Sequence, residues 1–326
     1  MSRSTVPYVI GQWVCGPQFY GRAAEITEIL GSAQRWQWIA GLRRIGKTSL
    51  LKQLDHLTGS GDRPEVALFW DLQGVESAED LGLTFTDALL DAEEALARHG
   101  ISAEEVEDGD VFASLEKLAG ALQQQNAGLL LLCDEADELM PLSRAAPGLV
   151  ERLWQSIAGF PATRVVVASS LRLCDSVAEG AEWMERFGAP RYLGAMTDDD
   201  ARALLQQSQL PAAARPAFDE AGVEAIRTAC GDHPMLLQIV AKRFHEIGDL
   251  EETFLQVTAD RAIQHLFSVD FALLAEAERQ LLRGLVAERS AVDASIAQRL
   301  LTLGLLRGNG SGVTIPNRFL ASWLRQ

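Results

Sequence analysis

At 326 residues, 48% hydrophobic and 23% charged, the chain has the length of about two ordinary domains and the composition of a water-soluble globular protein. Its formal charge of −16 is uneven: the last 56 residues hold seven arginines against four acids, so the preceding 270 carry −19, which argues against phosphate-backbone binding as the main activity. Four scattered cysteines with no C-x-x-C pair, no basic-then-apolar N-terminus and no apolar run approaching about 18 residues argue against a disulfide or zinc framework, a secretory leader and a bilayer span, so a cytoplasmic location without membrane contact is expected.

Residues 1–18 form a mixed N-terminal segment broken by Pro7, Gly11, Gly16 and Pro17. Phe19-Tyr20-Gly21-Arg22 then leads into a short helical pattern through Ile26, Ile29 and Leu30. Trp36 to Ala40 reads as a buried strand. It runs straight into GLRRIGKT, Gly41 to Thr48, which fits G-x-x-x-x-G-K-[ST] at every fixed position, and a helix with Leu50, Leu51 and Leu54 on one face follows. Strand, glycine loop and helix in that order are the context of a phosphate-binding loop. Gly41 and Gly46 permit close approach and backbone angles that a Cβ forbids. The loop N–H groups and the helix N-terminus form a concave positive site. Lys47 is expected to reach the β and γ phosphates, and the Thr48 hydroxyl to hold Mg²⁺.

Gly59 to Pro64 reads as a loop, VALFWDL from Val66 to Leu72 as a second strand, and Ser77 to His99 as one long helix opened by Ser77-x-x-Asp80. The acidic stretch Glu104 to Asp110 reads as a solvated loop or helix start, and Val111 to Gln125 as a helix with Leu115, Leu118 and Leu122 on one face. Next comes Gly128 to Cys133, an apolar strand followed by Asp134 and Glu135. Apolar run then two acids is the Walker B pattern: Asp134 is expected to orient Mg²⁺, and Glu135 to act as the base that polarises the attacking water. The alternative is a buried strand ending in a solvated acidic turn. Asp137 and Glu138 read as helix-start charges. Leu149, Val150, Leu153, Trp154 and Ile157 form one helical face, and Arg164 to Ser170 a strand ending in two hydroxyls. Ser169 or Arg172 could act there as a γ-phosphate sensor, or each could be an ordinary strand-to-loop residue. Arg191 to Leu193 reads as a short fifth strand. The expected core is therefore a three-layer α/β/α P-loop NTPase of the additional-strand, catalytic-glutamate type, over residues 19–195.

Beyond residue 196 the pattern becomes all helix. Thr197-x-x-Asp200 caps the first, and others are expected at 215–230, 234–247 and 250–268, forming a helical lid over 196–268. The stretch 269–326 is read as a winged-helix domain, with helices Phe271–Glu288 and Ile296–Leu303, a hairpin turning at Asn309-Gly310, and a terminal helix Asn317–Arg325. Ala291 to Leu303 has only Arg299 against Asp293, so this unit is expected to pack on protein rather than read DNA.

These pieces together resemble the signal-transduction ATPases with numerous domains (STAND), relatives of AAA+ proteins, over nearly the whole chain. Phe19-Tyr20-Gly21-Arg22 with Glu25 resembles the hhGRExE motif, departing at Ala23 where glutamate is usual. Arg43-Arg44-Ile45-Gly46-Lys47-Thr48-Ser49-Leu50 resembles R-R-x-G-K-T-S-L, and DEADEL from Asp134 to Leu139 resembles D-E-x-x-E-L. Gly231-Asp232-His233-Pro234 is similar to the GxP motif. The resemblance implies that Arg22, Pro234 and His233 approach the nucleotide, with Pro234 near adenine. It also implies ATP or ADP with Mg²⁺ as ligands and an ADP-closed, ATP-open cycle, often with nucleotide-dependent homo-oligomers. Arg43 and Arg44 could contact a neighbouring subunit's nucleotide, with solvated loop charges as the plainer reading.

The core starts near the N-terminus and the chain stops after the winged helix, so protein partners encoded elsewhere are expected to supply sensor and effector. The leading expectation is an ATP-binding, slowly hydrolysing regulatory switch. Two alternatives stand beside it: an AAA+-like ATPase handling DNA, of the origin-recognition or transposition type, and a nucleotide-binding scaffold with negligible turnover. Nucleic acid is disfavoured as a partner but left open.

Overall fold

The computed structural model describes residues 7–60, 64–176, 181–288, 293–310 and 312–326. They fall into two compact units: Ala24–Ala40 with Lys47–Arg191, and the residues up to Ala23 with Gly41–Gly46 and Tyr192–Gln326.

The first unit is built on a sheet. Its elements are α1 (Ala23–Gly31), β1 (Trp36–Gly41), α2 (Lys47–Ser60), β2 (Glu65–Asp71), α3 (Ala78–Asp91), α4 (Glu93–Ala97), α5 (Ala103–Val106), α6 (Val111–Gln124), β3 (Gly128–Asp134), α7 (Leu139–Ala145), α8 (Leu149–Ala158), β4 (Thr163–Ser169), α9 (Leu171–Ser176) and β5 (Arg191–Leu193). The five strands run in the order β2-β3-β4-β1-β5, so β4 lies between β1 and β3. β2 pairs with β3, β3 with β4, and β4 with β1, all parallel, in registers such as Leu68 opposite Leu131 and Trp38 opposite Val167. Parallel neighbours need crossovers, and the helices between strands supply them. They also cover the sheet: Leu129 to Leu132 are at most 4% exposed, and a strand buried on both faces reads as a continuous apolar run. α2 packs on β2 and β3, α3 on β2, and α6 on β3 and α8.

An aromatic group closes one part of this unit. Trp36 meets Trp154 edge-on at 6.1 Å, Trp154 stacks on Trp183 at 6.2 Å, and Phe187 sits edge-on to Trp154 at 5.3 Å. Polar anchors are local. Arg164 on β4 grips Glu65 on β2 through two hydrogen bonds of 2.7 and 2.8 Å. Arg35 donates to the carbonyls of Ile157, Ala158, Phe160 and Thr163, capping the end of α8.

The expected helix Ser77–His99 is two helices. Ser77 does cap the first, accepting the Asp80 N–H at 3.1 Å. The helix then breaks at Ala92 (φ −91°, ψ 6°), and Glu93 turns to accept the Ala103 N–H at 2.7 Å, holding α5. The acidic stretch is that short helix plus Asp110, which caps α6 by accepting from Phe112 and Ala113. α2 runs on to Ser60, and residues 61–63 of the expected Gly59–Pro64 loop lie outside the described residues.

The second unit is helical: α10 (Asp198–Gln206), α11 (Glu220–Cys230), α12 (Pro234–Ile247), α13 (Leu250–Ala259), α14 (Arg261–Ala272), α15 (Glu276–Val286), α16 (Ala294–Thr302), then β6 (Arg307–Gly308), β7 (Val313–Thr314) and α17 (Arg318–Leu324). One apolar core runs through it, from Leu204 and Leu205 through Ile226, Leu237 and Val240 to Phe254, Phe319 and Leu320. Thr197 caps α10 at 3.2 Å. The expected helix 250–268 breaks at Asp260, whose carboxylate accepts the Ala262 N–H at 2.9 Å and opens α14. α14 continues to Ala272, across residues 268 and 269, and α15 starts at Glu276, with Glu278 accepting the Ala275 N–H at 2.9 Å. The hairpin is antiparallel, with Gly310 at φ 80° and the Asn309 N–H donating to the Gly312 carbonyl at 3.0 Å. Residues 291–292 of the expected second helix lie outside the described residues; α16 itself starts at Ala294. Among the described residues no helix is long and apolar enough to cross a membrane.

Candidate functional site

In the sheet unit the chemistry gathers at the C-terminal ends of β2 and β3 and the start of α2. Asp134 closes β3 with 3% of its surface exposed. Its carboxylate accepts a hydrogen bond from the Thr48 hydroxyl, and Lys47 is close enough to act on it electrostatically. Burial pushes the Asp134 pKa up, and Asp71 adds to the rise. The Thr48 hydrogen bond, the Glu135 N–H and Lys47 oppose it. Glu135 follows in a left-handed conformation, φ 51° and ψ 42°, uncommon for a residue with a Cβ. Its pKa is also raised, first by burial, then by Asp134, with Asp137 and Asp71 adding and Lys47 opposing. Asp71 ends β2 directly opposite Asp134 in the parallel register. One lysine thus faces several carboxylates, an excess of negative charge that a divalent cation relieves.

The end of β4 is tied to the turn after β3. Ser170 donates from its N–H and hydroxyl to the two oxygens of Asp137 at 2.6 and 2.7 Å. Ser169 is fully buried; its hydroxyl accepts from Trp38 Nε1 at 2.8 Å and donates to the Ser170 carbonyl at 3.0 Å. Arg172 is exposed on α9.

In the helical unit the segment Gly41–Gly46 is held by groups from distant parts of the chain. A Cβ on Gly41 would stand 2.8 Å from the Leu193 carbonyl, so glycine is required there by close approach, while Gly46 is required by its φ of 103°. Arg22, itself at φ 62° and 8% exposed, donates to the carbonyls of Ile45 at 3.3 Å, Gly194 at 2.6 Å and Ala195 at 3.4 Å. The Arg43 N–H donates to Asp270 Oδ1 on α14 at 3.1 Å. Leu42 and Ile45 are buried, and they line a small apolar cavity with Phe267, Phe271 and Leu320. Arg43 and Arg44 are exposed, with Arg44 reaching the Gly11 carbonyl at 3.5 Å. His233 precedes Pro234, the first residue of α12, and lies against the Arg43 backbone. The residue keeps partial exposure, yet its Nδ1 is shut off from solvent without a hydrogen-bond partner. Burial, with the Arg22 charge contributing, pushes its pKa down to about 4, so the imidazole is neutral near pH 7.

No family model and no curated protein matches the chain. Among solved structures it is similar to the Walker-type ATPase PABY2304 of Pyrococcus abyssi, at 13% identity and a TM-score of 0.67, over 98% of this chain and 100% of that one. It is also similar to the ORC2 protein of Aeropyrum pernix, solved as ADPNP–ADP complexes, at 14% identity and a TM-score of 0.57, over 99% of this chain and 97% of that one. The fold is that of a P-loop NTPase.

In a P-loop NTPase fold the sequence expectations sort as follows. Lys47, Thr48, Asp134 and Glu135 come together in one unit, and Arg22, Gly41, Arg43, Ile45 and His233 in the other. Ser49 lies in the first turn of α2. Ser169 is brought to the strand end, but its hydroxyl is already engaged by Trp38. Sequence reasoning missed three acids. Asp71 was legible as a second acid closing a parallel strand beside Asp134. Asp137, taken for a helix-start charge, binds Ser170. Asp270 had one faint mark, a lone acid in an apolar helical stretch. The donor set fits Mg²⁺: the Thr48 hydroxyl and the buried Asp134 carboxylate are adjacent oxygen donors, and this ion takes one or two such protein ligands beside waters and phosphate oxygens.

Proposed function

We propose that this protein is an ATP-binding, Mg²⁺-dependent and slowly hydrolysing regulatory switch, held closed by ADP and opened by ATP to control a partner protein or assembly. The observation that carries nucleotide binding is the buried Asp134 carboxylate hydrogen-bonded to Thr48, next to Lys47 at the start of α2. Thr48 and Asp134 would hold the ion, which would supply charge neutralisation across the phosphates. Lys47 places a cation toward the phosphate oxygens, and the α2 N-terminus adds N–H donors. Glu135, raised toward neutrality but still able to accept a proton, is the base for water. β4 lying between β1 and β3 supports the additional-strand, catalytic-glutamate reading. α15, α16, the β6–β7 hairpin and α17 support the winged-helix reading of the C-terminal segment, and the STAND assignment rests with it.

Switching, rather than housekeeping hydrolysis, is supported by Gly41–Gly46 being gripped through Arg22, His233 and Asp270. A ligand on that loop changes the groups that hold α12 and α14. Moving a population from 1:99 to 99:1 takes about 5.5 kcal/mol of differential binding, within reach of charge-assisted contacts to one additional phosphate. The first experiment is to denature the purified protein and identify the released nucleotide by ion-exchange chromatography. Stoichiometric ADP supports the switch. An empty site taking up ATP freely favours a constitutive ATPase, and failure to bind either nucleotide removes the reading. Nothing in the fold adds to the charge argument against nucleic acid; a gel shift at low salt, with and without ATP, decides the DNA-handling alternative.

A further inference from the structure

We infer that the outward face of α3 docks a basic amphipathic helix of a partner protein. Among the described residues of the sheet unit, large apolar side chains stand exposed at two positions, Leu83 at 59% and Leu90 at 52%. Both lie on α3, seven positions apart. Seven residues make about two turns, so the leucines form one line about 10 Å long. A single exposed leucine needs no explanation, but a line of them on one helix of an otherwise covered unit does.

The surroundings of that line are acidic. Residues 76–110 hold twelve acids against Arg98, a formal −11 of the chain's −16. Glu79, Asp87 and Asp91 on α3 and Glu94 just beyond it are exposed, and among the described residues none of them is in an ion pair. The cations nearby are engaged: Arg98 donates to the Gly59 carbonyl, and Lys117 on α6 pairs with Asp108 at 2.5 Å. Such a field repels nucleic acid and anionic lipid and draws in Lys and Arg side chains. Leucines with an acid rim therefore fit a helix that carries apolar residues along one side and cations beside them. The face is already formed. Leu81, Phe85 and Leu89 are fully buried beneath it, with Phe85 edge-on to Trp70 at 5.0 Å. Gly82 lies against the Gly109 carbonyl, where a Cβ has no room, and the Thr86 hydroxyl donates to Glu107 at 3.2 Å. Docking therefore orders little of this chain. None of these residues is among those placed at the phosphate loop, so the surface and the nucleotide reading stand or fall separately.

The probe is a fluorescein-labelled Leu/Lys peptide of about five helical turns with its leucines on one side, read by anisotropy at low and high salt. Wild type is expected to bind it, more weakly at high salt. Leu83→Ser with Leu90→Ser is expected to bind at least about tenfold more weakly, while Leu255→Ser, which removes an exposed leucine of the other unit, binds as wild type. A Lys/Ser peptide of the same charge and a Leu/Glu peptide are each expected to bind wild type at least about tenfold more weakly than Leu/Lys. Asp87→Asn with Asp91→Asn keeps both leucines and is expected to lower affinity and salt dependence together. Wild type that does not bind Leu/Lys, a control peptide that binds as tightly, or wild-type affinity in either double variant overturns the assignment. So does sedimentation showing a wild-type dimer that the double serine variant abolishes, because a second copy is then the occupant.

Discussion

Three side chains carry the sharpest tests. Lys47→Ala removes the one cation placed at the start of α2, and nucleotide affinity is expected to fall by about two orders of magnitude in a filter or fluorescence titration, the loss of a charge-assisted contact worth about 3 kcal/mol. Glu135→Gln keeps the shape and removes the base. ATP should stay bound while phosphate release drops at least about a hundredfold; hydrolysis at the wild-type rate would show that another group activates water. His233 makes a pH prediction. Its folded pKa of about 4 lies below the ordinary 6.5, so the unfolded chain takes the proton first. The contribution of His233 is whole above pH 6.5, declines as pH falls, and is lost by about pH 4, for up to roughly 3 kcal/mol. The raised Asp134 and Glu135 work in the opposite sense over part of that window, so the comparison is between wild type and His233→Gln. The excess stability of wild type over the variant should shrink as pH falls from 6.5 to about 4, and a difference constant with pH would mean that the imidazole is not the group titrating.

Elements show which physics was legible. β3 and β4 were plain as apolar runs because both faces of a parallel sheet are covered, and Ser77, Thr197 and Asn317 announced helix starts because each accepts N–H groups two or three residues on. Helix breaks were hidden. Ala92 is a good helix former, and nothing local says that Glu93 will reach Ala103; Asp260 reads equally well as a mid-helix acid or a cap. Contacts such as Asp270 with Arg43 span 227 positions and leave only an acid in an apolar stretch. The tie between the turn at Gly231 and the hairpin was equally silent. Asp232, fully buried at φ 57°, is clasped by Arg227 at 2.9 Å and by Arg307 of β6 at 2.5 Å, while Asn317 approaches where a Gly231 side chain would stand. Asp232→Ala removes the Arg227 and Arg307 contacts while Arg227 keeps Asp198 at 2.8 Å and Glu224 at 3.3 Å, and should cost about 1–2 kcal/mol in urea unfolding; an effect under about 0.5 kcal/mol would mean that the pairs contribute nothing net.

For the whole molecule, the regulatory reading predicts that ADP- and ATPγS-loaded protein differ in mass or hydrodynamic radius. Light scattering on a sizing column, with Glu135→Gln to hold the triphosphate, checks this. Identical profiles together with identical hydrogen exchange in 41–46 and 261–272 would leave a nucleotide-binding scaffold. Any such change can be followed optically. Trp154 and Trp183 stack with ring planes 22° apart, and Trp36 lies at 90° to Trp154. Indoles this close share their excited states, so the sheet unit should give a strong coupled band in circular dichroism that vanishes when its packing loosens. Trp323, packed against Phe267 and Phe271, belongs to the other unit, which also holds the half-exposed Trp13. A Trp13→Phe variant leaves Trp323 as the indole of that unit, so melting or loading can be followed separately by the coupled band of the sheet unit and by Trp323 fluorescence from the other.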